Sequence, residues 1–291
     1  MATVTACATL GYAACEVEVA LRRIAARGFT RVEITELGSY CRHLPHGEAD
    51  LPRVRRLVED LGLRVVALNV SASWSVGEVI HRPDPADAAQ ARRIVDYAGW
   101  FIERAAERGA GVLTFPLGPR VGDDEFDARL GPAARVYRRI AKRAADAGVT
   151  LCLESPHLYQ LIDTTEHVLR ALEMIDHRAV GATVDASHWG IIGYDAQAFF
   201  TALGPRLRHV HLRDSAGADT RDYRQDLERT PGRGTVDFAA WGAALDAAGY
   251  AGDVTLELEH RHDDVDAIER EFDAGIAHLR SCGWRVDGAR E

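Results

Sequence analysis

Short apolar or alternating runs recur along the chain, and segments with a helical spacing of apolar residues separate them. Runs of this kind, rich in β-branched residues, predict eight strands over residues 4–10, 31–35, 64–70, 111–117, 149–155, 181–187, 207–213 and 253–259. The intervening segments predict helices over residues 15–28, 51–62, 87–109, 132–148, 165–175, 195–204, 236–249 and 263–283. Several of the predicted helices end in glycine, as C′ positions commonly do.

The strict alternation of strands and helices determines the predicted fold. Strands separated by helices pair in parallel through crossover connections. Eight such units within 291 residues predict a (β/α)8 TIM barrel that forms one domain over residues 1–291. An open doubly wound sheet is the alternative, but ATLGYAAC, at the end of the first predicted strand, lacks the G-x-G-x-x-G turn that this fold favours. In a barrel, chemistry is expected at the carboxyl ends of the strands.

Composition excludes several classes of function. The net charge of −9 gives no basic surface for nucleic acid. The single lysine, Lys142, lies in a helix-like run, which disfavours Schiff-base chemistry. Five scattered cysteines without C-x-x-C indicate a reducing compartment. Because no run approaches the ~20 apolar residues of a membrane span and the start lacks a secretory signal, we expect a cytoplasmic protein without a membrane or nucleic-acid partner.

Ionisable residues close four consecutive predicted strands where inward-facing positions would otherwise be apolar. They are Glu154, Asp185, His211 and, on the last strand, Glu257 or Glu259. Three carboxylates gathered at one mouth would repel one another and raise one another's pKa, and a divalent cation would relieve that repulsion. The sequence therefore predicts a metal site.

The type of ligand indicates the metal. Three carboxylates and one imidazole form a hard, oxygen-rich set without thiolate, which favours Mn2+ or Mg2+, although Co2+ or Zn2+ could occupy it. Such a site leaves coordination positions for water or substrate oxygens and can polarise a carbonyl group.

Three neighbouring residues are candidates for substrate binding. His188 follows Asp185 by three residues, and its position beside a metal ligand favours substrate contact over an exposed loop histidine. Arg213 shares a strand face with His211 and could bind a substrate oxygen or pair with a ligand carboxylate. His157 could face the substrate or support a metal ligand.

Two further groups receive less weight. His209 shares the strand face of His211 but lies deeper in the barrel. This position favours a hydrogen-bonded core histidine or one that supports a metal ligand. Glu33 and Glu36, at the end of the second predicted strand, are further candidates at the mouth.

With these residues, the chain resembles the xylose-isomerase-like TIM-barrel superfamily, specifically the sugar phosphate isomerase/epimerase group, which includes ketose 3-epimerases and inosose dehydratase. Glu154 matches the group's metal glutamate after strand five, and Asp185 with His188 matches its D-x-x-H motif. His211 matches the second histidine of H-x-H. Two longer segments are also similar, PGRGTVDF (231–238) and GYAGDVTLE (249–257), the second ending on the last metal ligand.

The resemblance implies a reaction. Glu154 and Glu257 would bind the metal and act as proton acceptor and donor on opposite faces of a sugar, keto-sugar or cyclitol, through an enediolate. The alternative is a lyase that uses the same proton abstraction, either an inosose-type dehydratase or a deglycosidase of 3-oxo-glycosides. Relatives are often dimers or tetramers, so the resemblance suggests a homodimer or homotetramer.

The chain departs from the group in its substrate-binding residues. Arg213 replaces a lysine common after strand seven, Gln160 replaces a glutamate of the epimerases, and Gly217 stands where they have arginine. Residues 215–230 form a long polar insert, which we predict to be a loop that caps the substrate. Two other classes are disfavoured: endonuclease IV needs extra histidines and a basic face, and a non-catalytic barrel would not keep a complete ligand set.

Counting along the strands separates the two glutamates of TLELEH. Glu154 and Asp185 lie six and four residues after the glycine that precedes their strands. Glu257 lies five residues after its glycine and Glu259 seven. The sequence therefore predicts Glu257 in the metal layer and Glu259 one pleat repeat, about 6.6 Å, nearer the rim.

Overall fold

Eight parallel strands close into a barrel in the computed structural model, which describes residues 1–38, 40–44, 51–70, 74–76, 79–81, 83–220, 222–259 and 264–288. The strands are β1 (Ala6–Ala8), β2 (Arg31–Glu36), β3 (Arg64–Val70), β4 (Val112–Thr114), β5 (Thr150–Glu154), β6 (Val180–Asp185), β7 (Leu207–Leu212) and β8 (Val254–Leu256). Each strand pairs with its neighbours in chain order, and β8 pairs with β1 to close the ring. The predicted TIM barrel is confirmed.

Helices surround the barrel. They are α1 (Val17–Ala26), α2 (Leu51–Asp60), α3 (Ala88–Arg108), α4 (Asp123–Asp146), α5 (Thr165–Ile175), α6 (Ala186–Ile192), α7 (Ala196–Leu203), α8 (Tyr223–Leu227), α9 (Phe238–Ala247) and α10 (Val265–Ser281). Among the described residues, none of these helices combines the length and apolarity that crossing a bilayer requires.

The predicted start of one helix was wrong. The apolar spacing predicted a helix over residues 132–148. In the structure α4 begins nine residues earlier at Asp123, and Pro132 lies inside it. Three acidic residues in the first turn favour this earlier start through the helix dipole, and the buried side chains of Phe126 and Leu130 extend the apolar face into that region.

Several small elements were not predicted. β1 is shorter than the predicted run 4–10, because Thr9–Tyr12 form a 3-10 helix. Thr3–Val4 instead pair in parallel with Arg285–Val286, which joins the two ends of the described chain. A short antiparallel hairpin, Trp74–Val76 with Val79–His81, follows β3.

A continuous apolar core fills the space between strands and helices. Large side chains such as Phe101, Tyr137, Trp241 and Phe272 are almost completely buried in it. Burial of apolar surface of this kind is the main force that stabilises a domain. The polar side chains that follow the strands at the barrel mouth therefore stand on a closely packed support.

Asp214 ties the segment after β7 to the barrel. Its buried carboxylate accepts backbone N–H bonds from Ser215 (2.8 Å), Gly232 (2.9 Å), Gly234 (2.9 Å) and Val236 (3.0 Å). A Cβ atom at Gly234 would lie 2.1 Å from the carbonyl oxygen of Ser215, so glycine is needed for this close approach. One side chain thus fastens both ends of the insert.

We expect Asp214→Ala to lower the free energy of unfolding by about 3 kcal/mol or more, because several buried N–H groups would lose their acceptor. Asp237→Ala is the matched control, since Asp237 caps α9 through a single backbone N–H, that of Ala240. Loss of such a cap should cost about 1 kcal/mol. Urea unfolding followed by circular dichroism measures both, and equal losses would contradict the special role of Asp214.

Candidate functional site

The four predicted metal ligands converge at the mouth of the barrel. Glu154 and Asp185 end β5 and β6, His211 lies near the end of β7, and Glu257 follows β8. Each offers a ligand atom, and these atoms all lie within 4.8 Å of one another. They meet because parallel strands bring their carboxyl ends to one rim. Their binding of a metal ion stays a prediction.

The chemistry of the group fits a cation. Nδ1 of His211 lies 3.3 Å from Oε2 of Glu257 and 3.6 Å from Oε1 of Glu154. Neither Nδ1 of His211 nor Oε2 of Glu257 has a hydrogen-bond partner within the part of the chain that the structure describes. Buried polar atoms are rarely left unpaired. A divalent ion would supply the partner that both atoms lack.

The electrostatics of the group point the same way. Burial alone would lower the pKa of His211, but the charges of Glu257 and Glu33 hold it well above its ordinary value. Burial raises the pKa of Glu257 to about 8, with the charges of His211 and Arg213 opposing the shift. Bound protons on His211 and Glu257 are therefore favoured when no cation is present. An ion bound here would displace them, so its affinity should increase with pH.

Asp185 is held by the beginning of α6, which it caps. Oδ1 accepts the backbone N–H of Ser187 (2.8 Å), and Oδ2 accepts the hydroxyl of Ser187 (2.8 Å) and Nη2 of Arg213 (2.8 Å). The carboxylate is therefore fixed in orientation at the edge of the ligand group.

Arg213 lies two residues after His211, and its side chain is buried. It forms ion pairs with Asp185 and Glu259 and hydrogen bonds with Tyr223 (2.9 Å). The sequence left open whether Arg213 binds a substrate oxygen or pairs with a ligand carboxylate. In the structure it pairs with the carboxylates of Asp185 and Glu259. Substrate contact by Arg213 stays a prediction.

The two glutamates of TLELEH occupy different layers. Glu257 faces His211, and its Oε1 accepts a hydrogen bond from Asn69 (2.8 Å). Glu259 pairs with Arg213 and accepts the hydroxyl of Tyr223 (2.7 Å), and it is not part of the four-residue ligand group. This arrangement agrees with the layers predicted by counting.

His157 and His188 lie side by side next to Glu154, with ring centroids 4.0 Å apart. His188 is completely buried, and neither of its ring nitrogens has a hydrogen-bond partner among the described residues. Burial lowers the pKa of His188 well below its ordinary value, and the charge of Arg213 lowers it further. A neutral, unpaired imidazole at this position suits contact with a substrate hydroxyl, which stays a prediction.

His157 has a defined tautomer. Its Nδ1 accepts the backbone N–H of Tyr159 (3.1 Å), so in the neutral ring Nε2 carries the proton. Nε2 lies 3.7 Å from Oε2 of Glu154. Glu154, His157 and His188 are close enough together to hold an ion, but this tautomer makes His157 a donor at Nε2. Whether His157 faces a substrate or supports a metal ligand stays a prediction.

The predicted capping loop, residues 215–230, contains α8 and approaches the mouth; residue 221 lies outside the described residues. Tyr223 at the start of α8 contacts the ring of Tyr159, with centroids 5.6 Å apart. Asp226 accepts the backbone N–H (2.9 Å) and hydroxyl (2.7 Å) of Thr220, which braces the loop internally. Capping of a substrate by this loop stays a prediction.

Sequence reasoning gave too little weight to one contact and missed two. Glu33 accepts a hydrogen bond from Nε2 of His211 (3.2 Å), although it received low weight. Asn69, which contacts Glu257, and Tyr223, which contacts Glu259, were not singled out. Asn69 could have been found, because a polar residue near the end of the apolar run VVALNV is unusual for a buried parallel strand.

Comparison with known proteins assigns the chain to a class. Residues 21–282 match the family described as xylose isomerase-like TIM barrel, and the chain belongs to that family. An inosose dehydratase of Geobacillus thermodenitrificans strain NG80-2 is 26% identical over 252 residues, which are 80% of this chain and 83% of that protein. An L-ribulose 3-epimerase of Methylomonas sp. strain DH-1 is 26% identical over 242 residues, 82% of this chain and 77% of that protein.

A solved structure has the same fold. D-psicose 3-epimerase from Clostridium cellulolyticum H10 superposes with a TM-score of 0.74 at 18% identity, covering 95% of this chain and 98% of that chain. The relatives are sugar epimerases and inosose dehydratases, and we conclude that this chain is an enzyme.

We expect Glu257→Gln to raise the dissociation constant for Mn2+ at least about tenfold, because a ligand charge is lost where nothing else replaces it. Glu259→Gln is the matched control, since it changes the same residue type one layer higher, and it should leave Mn2+ affinity within about twofold. Isothermal titration calorimetry measures both constants. Equal effects on Mn2+ affinity would show that the two glutamates do not occupy separate layers.

Proposed function

We propose that this chain is a divalent-metal-dependent isomerase or epimerase of a sugar, keto-sugar or cyclitol. The observation that carries the proposal is the group of Glu154, Asp185, His211 and Glu257, in which Nδ1 of His211 and Oε2 of Glu257 face each other without a hydrogen-bond partner among the described residues. The similarity to an L-ribulose 3-epimerase supports the choice of substrate class.

The reaction requires a proton to be removed next to a carbonyl group. A divalent ion at the ligand group would polarise that carbonyl and acidify the neighbouring C–H bond. Glu154 and Glu257 act as the proton acceptor and donor, a form of general acid–base catalysis. The direction of the reaction decides which of them takes the proton first. Asn69 donates a hydrogen bond to Glu257 and so fixes the orientation of one of the pair.

The side chains beside Glu154 and Glu257 would orient the substrate. His188 is neutral and unpaired, so it can accept or donate a hydrogen bond to a substrate hydroxyl. His157 presents an N–H group beside Glu154. The guanidinium of Arg213 has five N–H groups, and one of them has no acceptor among the described residues. The other four bind Ser187, Asp185, Glu259 and Tyr223. Residues 215–230 would cover the bound substrate and exclude water.

Mn2+ is the ion that we propose, because carboxylate oxygens with one imidazole suit it. Addition of Mn2+ to metal-free protein should raise its melting temperature, since an ion that binds only the folded state stabilises that state. A melting temperature unchanged by Mn2+, Mg2+, Co2+ and Zn2+, each tested in turn, would overturn the metal-dependent reaction.

A lyase is the second candidate, favoured by the similarity to an inosose dehydratase over 80% of the chain. The same proton abstraction would then be followed by loss of a β-substituent. The leaving group would be water, as in a dehydratase, or an alcohol, as in a deglycosidase of 3-oxo-glycosides. The two candidates differ in the product and not in the residues that remove the proton.

One experiment separates the candidates. The Mn2+-loaded enzyme is incubated in D2O with ketohexoses, ketopentoses, an inosose and a 3-keto-glucoside. An epimerase gives a new sugar NMR spectrum with deuterium beside the carbonyl, whereas a lyase gives an enone absorbance. Glu154→Gln should slow either reaction by about 10²–10⁴-fold, because the proton acceptor is lost. An unchanged rate in this variant would contradict its catalytic role.

A further inference from the structure

Glu33 lies inside the barrel on β2, behind His211 and outside the four-residue ligand group, and its side chain is fully buried. Its Oε2 atom accepts hydrogen bonds from Nε2 of His209 (2.6 Å) and Nε2 of His211 (3.2 Å). An ionised carboxylate oxygen in this position can accept a hydrogen bond from each of the two histidines, because it has no proton of its own to donate.

This contact determines which nitrogen of His211 is available as a ligand. Because an ionised carboxylate only accepts hydrogen bonds, Nε2 of His211 must carry a proton and donate a hydrogen bond to Glu33. A neutral ring then has its lone pair on Nδ1. Nδ1 is the atom that faces Glu154 and Glu257 and has no hydrogen-bond partner among the described residues. Nε2 of His211 thus binds Glu33, and Nδ1 is left to face the ligand carboxylates.

His209 keeps Glu33 in place. Its Nε2 is within hydrogen-bond distance of both Glu33 and the hydroxyl of Thr255 (3.2 Å) on β8. The rings of His209 and His211 are perpendicular, with centroids 5.1 Å apart, so both can reach one carboxylate oxygen. Glu33 is consequently held by one histidine while it orients the other.

We propose that Glu33 is a positioning residue of the metal centre, which fixes His211 with its proton on Nε2 and its Nδ1 atom directed at the ligand carboxylates. This inference rests on the proposed function, because it assumes that an ion binds at that group. Glu33 does not touch the ion or the substrate. It acts through His211, by restricting the rotation of the ring and by making Nδ1 a stronger ligand.

Glu33→Gln tests the proposal, because glutamine keeps the shape but loses the charge and cannot accept two N–H bonds as strongly. We expect the dissociation constant for Mn2+, measured by titration calorimetry without substrate, to rise by about 10–100-fold. His209→Asn should produce a smaller rise, because it removes only the contact that holds Glu33. Circular dichroism establishes that each variant is folded.

Glu36→Gln is the matched control. Glu36 is a second buried glutamate of β2, and its carboxylate accepts hydrogen bonds from the backbone of Gly38 (2.8 Å) and from Tyr97 (3.3 Å). Its loss can lower stability, but it should leave the Mn2+ dissociation constant within about twofold. A folded Glu33→Gln protein with unchanged Mn2+ affinity, or an equal loss in Glu36→Gln, would overturn the proposal.

NMR of the protein loaded with diamagnetic Zn2+ gives a second readout that a merely structural role would not change. The wild type should show a slowly exchanging, downfield proton on Nε2 of His211, with Nδ1 bound to the ion. In Glu33→Gln this signal should move upfield or exchange faster. A wild-type signal that shows Nε2 bound to the ion would also overturn the assignment.

Failure of the inference and failure of the proposed function give different results. If the wild type binds Mn2+ but changes none of the sugar substrates, the proposed reaction is wrong and the role of Glu33 is still measured. If the wild type is active and Glu33→Gln retains full Mn2+ affinity, only the inference fails. A wild type that binds none of these ions overturns both.

Discussion

The central constraint on this structure is the burial of acidic side chains inside one closed barrel. The carboxylates that lie in its interior or at its mouth include Glu33, Glu154, Asp185, Glu257 and Glu259. Buried charge is costly unless it is paired and hydrogen-bonded. The arrangement of the polar residues at the mouth follows from how each carboxylate is neutralised.

Most of this neutralisation is supplied by the chain itself. Two histidines share Glu33, and Arg213 joins Asp185 to Glu259. Nδ1 of His211 and Oε2 of Glu257, which face each other close to Glu154, have no hydrogen-bond partner among the described residues. Both ring nitrogens of His188 and Oε1 of Glu33 also lack one, so the chain's own side chains leave part of this network unsatisfied at the mouth.

The sequence predicted what depends on local pattern. The period of two in the strands and the polar residues at their ends located Glu154, Asp185, His211 and Glu257 on one rim. The role of Glu33 depends on a contact across the barrel between β2 and β7, which β8 and β1 separate in the ring. Periodicity shows that such residues point inward, but it does not specify which of them meet. The early start of α4 was also missed, and the buried side chains of Phe126 and Leu130 belong to that earlier part of the helix.

The attachment of the segment after β7 has a consequence for how such a barrel can change. The carboxylate of Asp214 accepts backbone N–H bonds from Ser215 at one end of this segment and from Gly232 at the other, so one side chain fastens both ends. The interior of the loop is braced separately through Asp226. Changes of sequence or length that keep Tyr223, which hydrogen-bonds with Arg213 and Glu259, can therefore be accommodated without loosening the backbone near His211. The rest of the loop can vary while Glu154 and Glu257 keep their positions at the mouth.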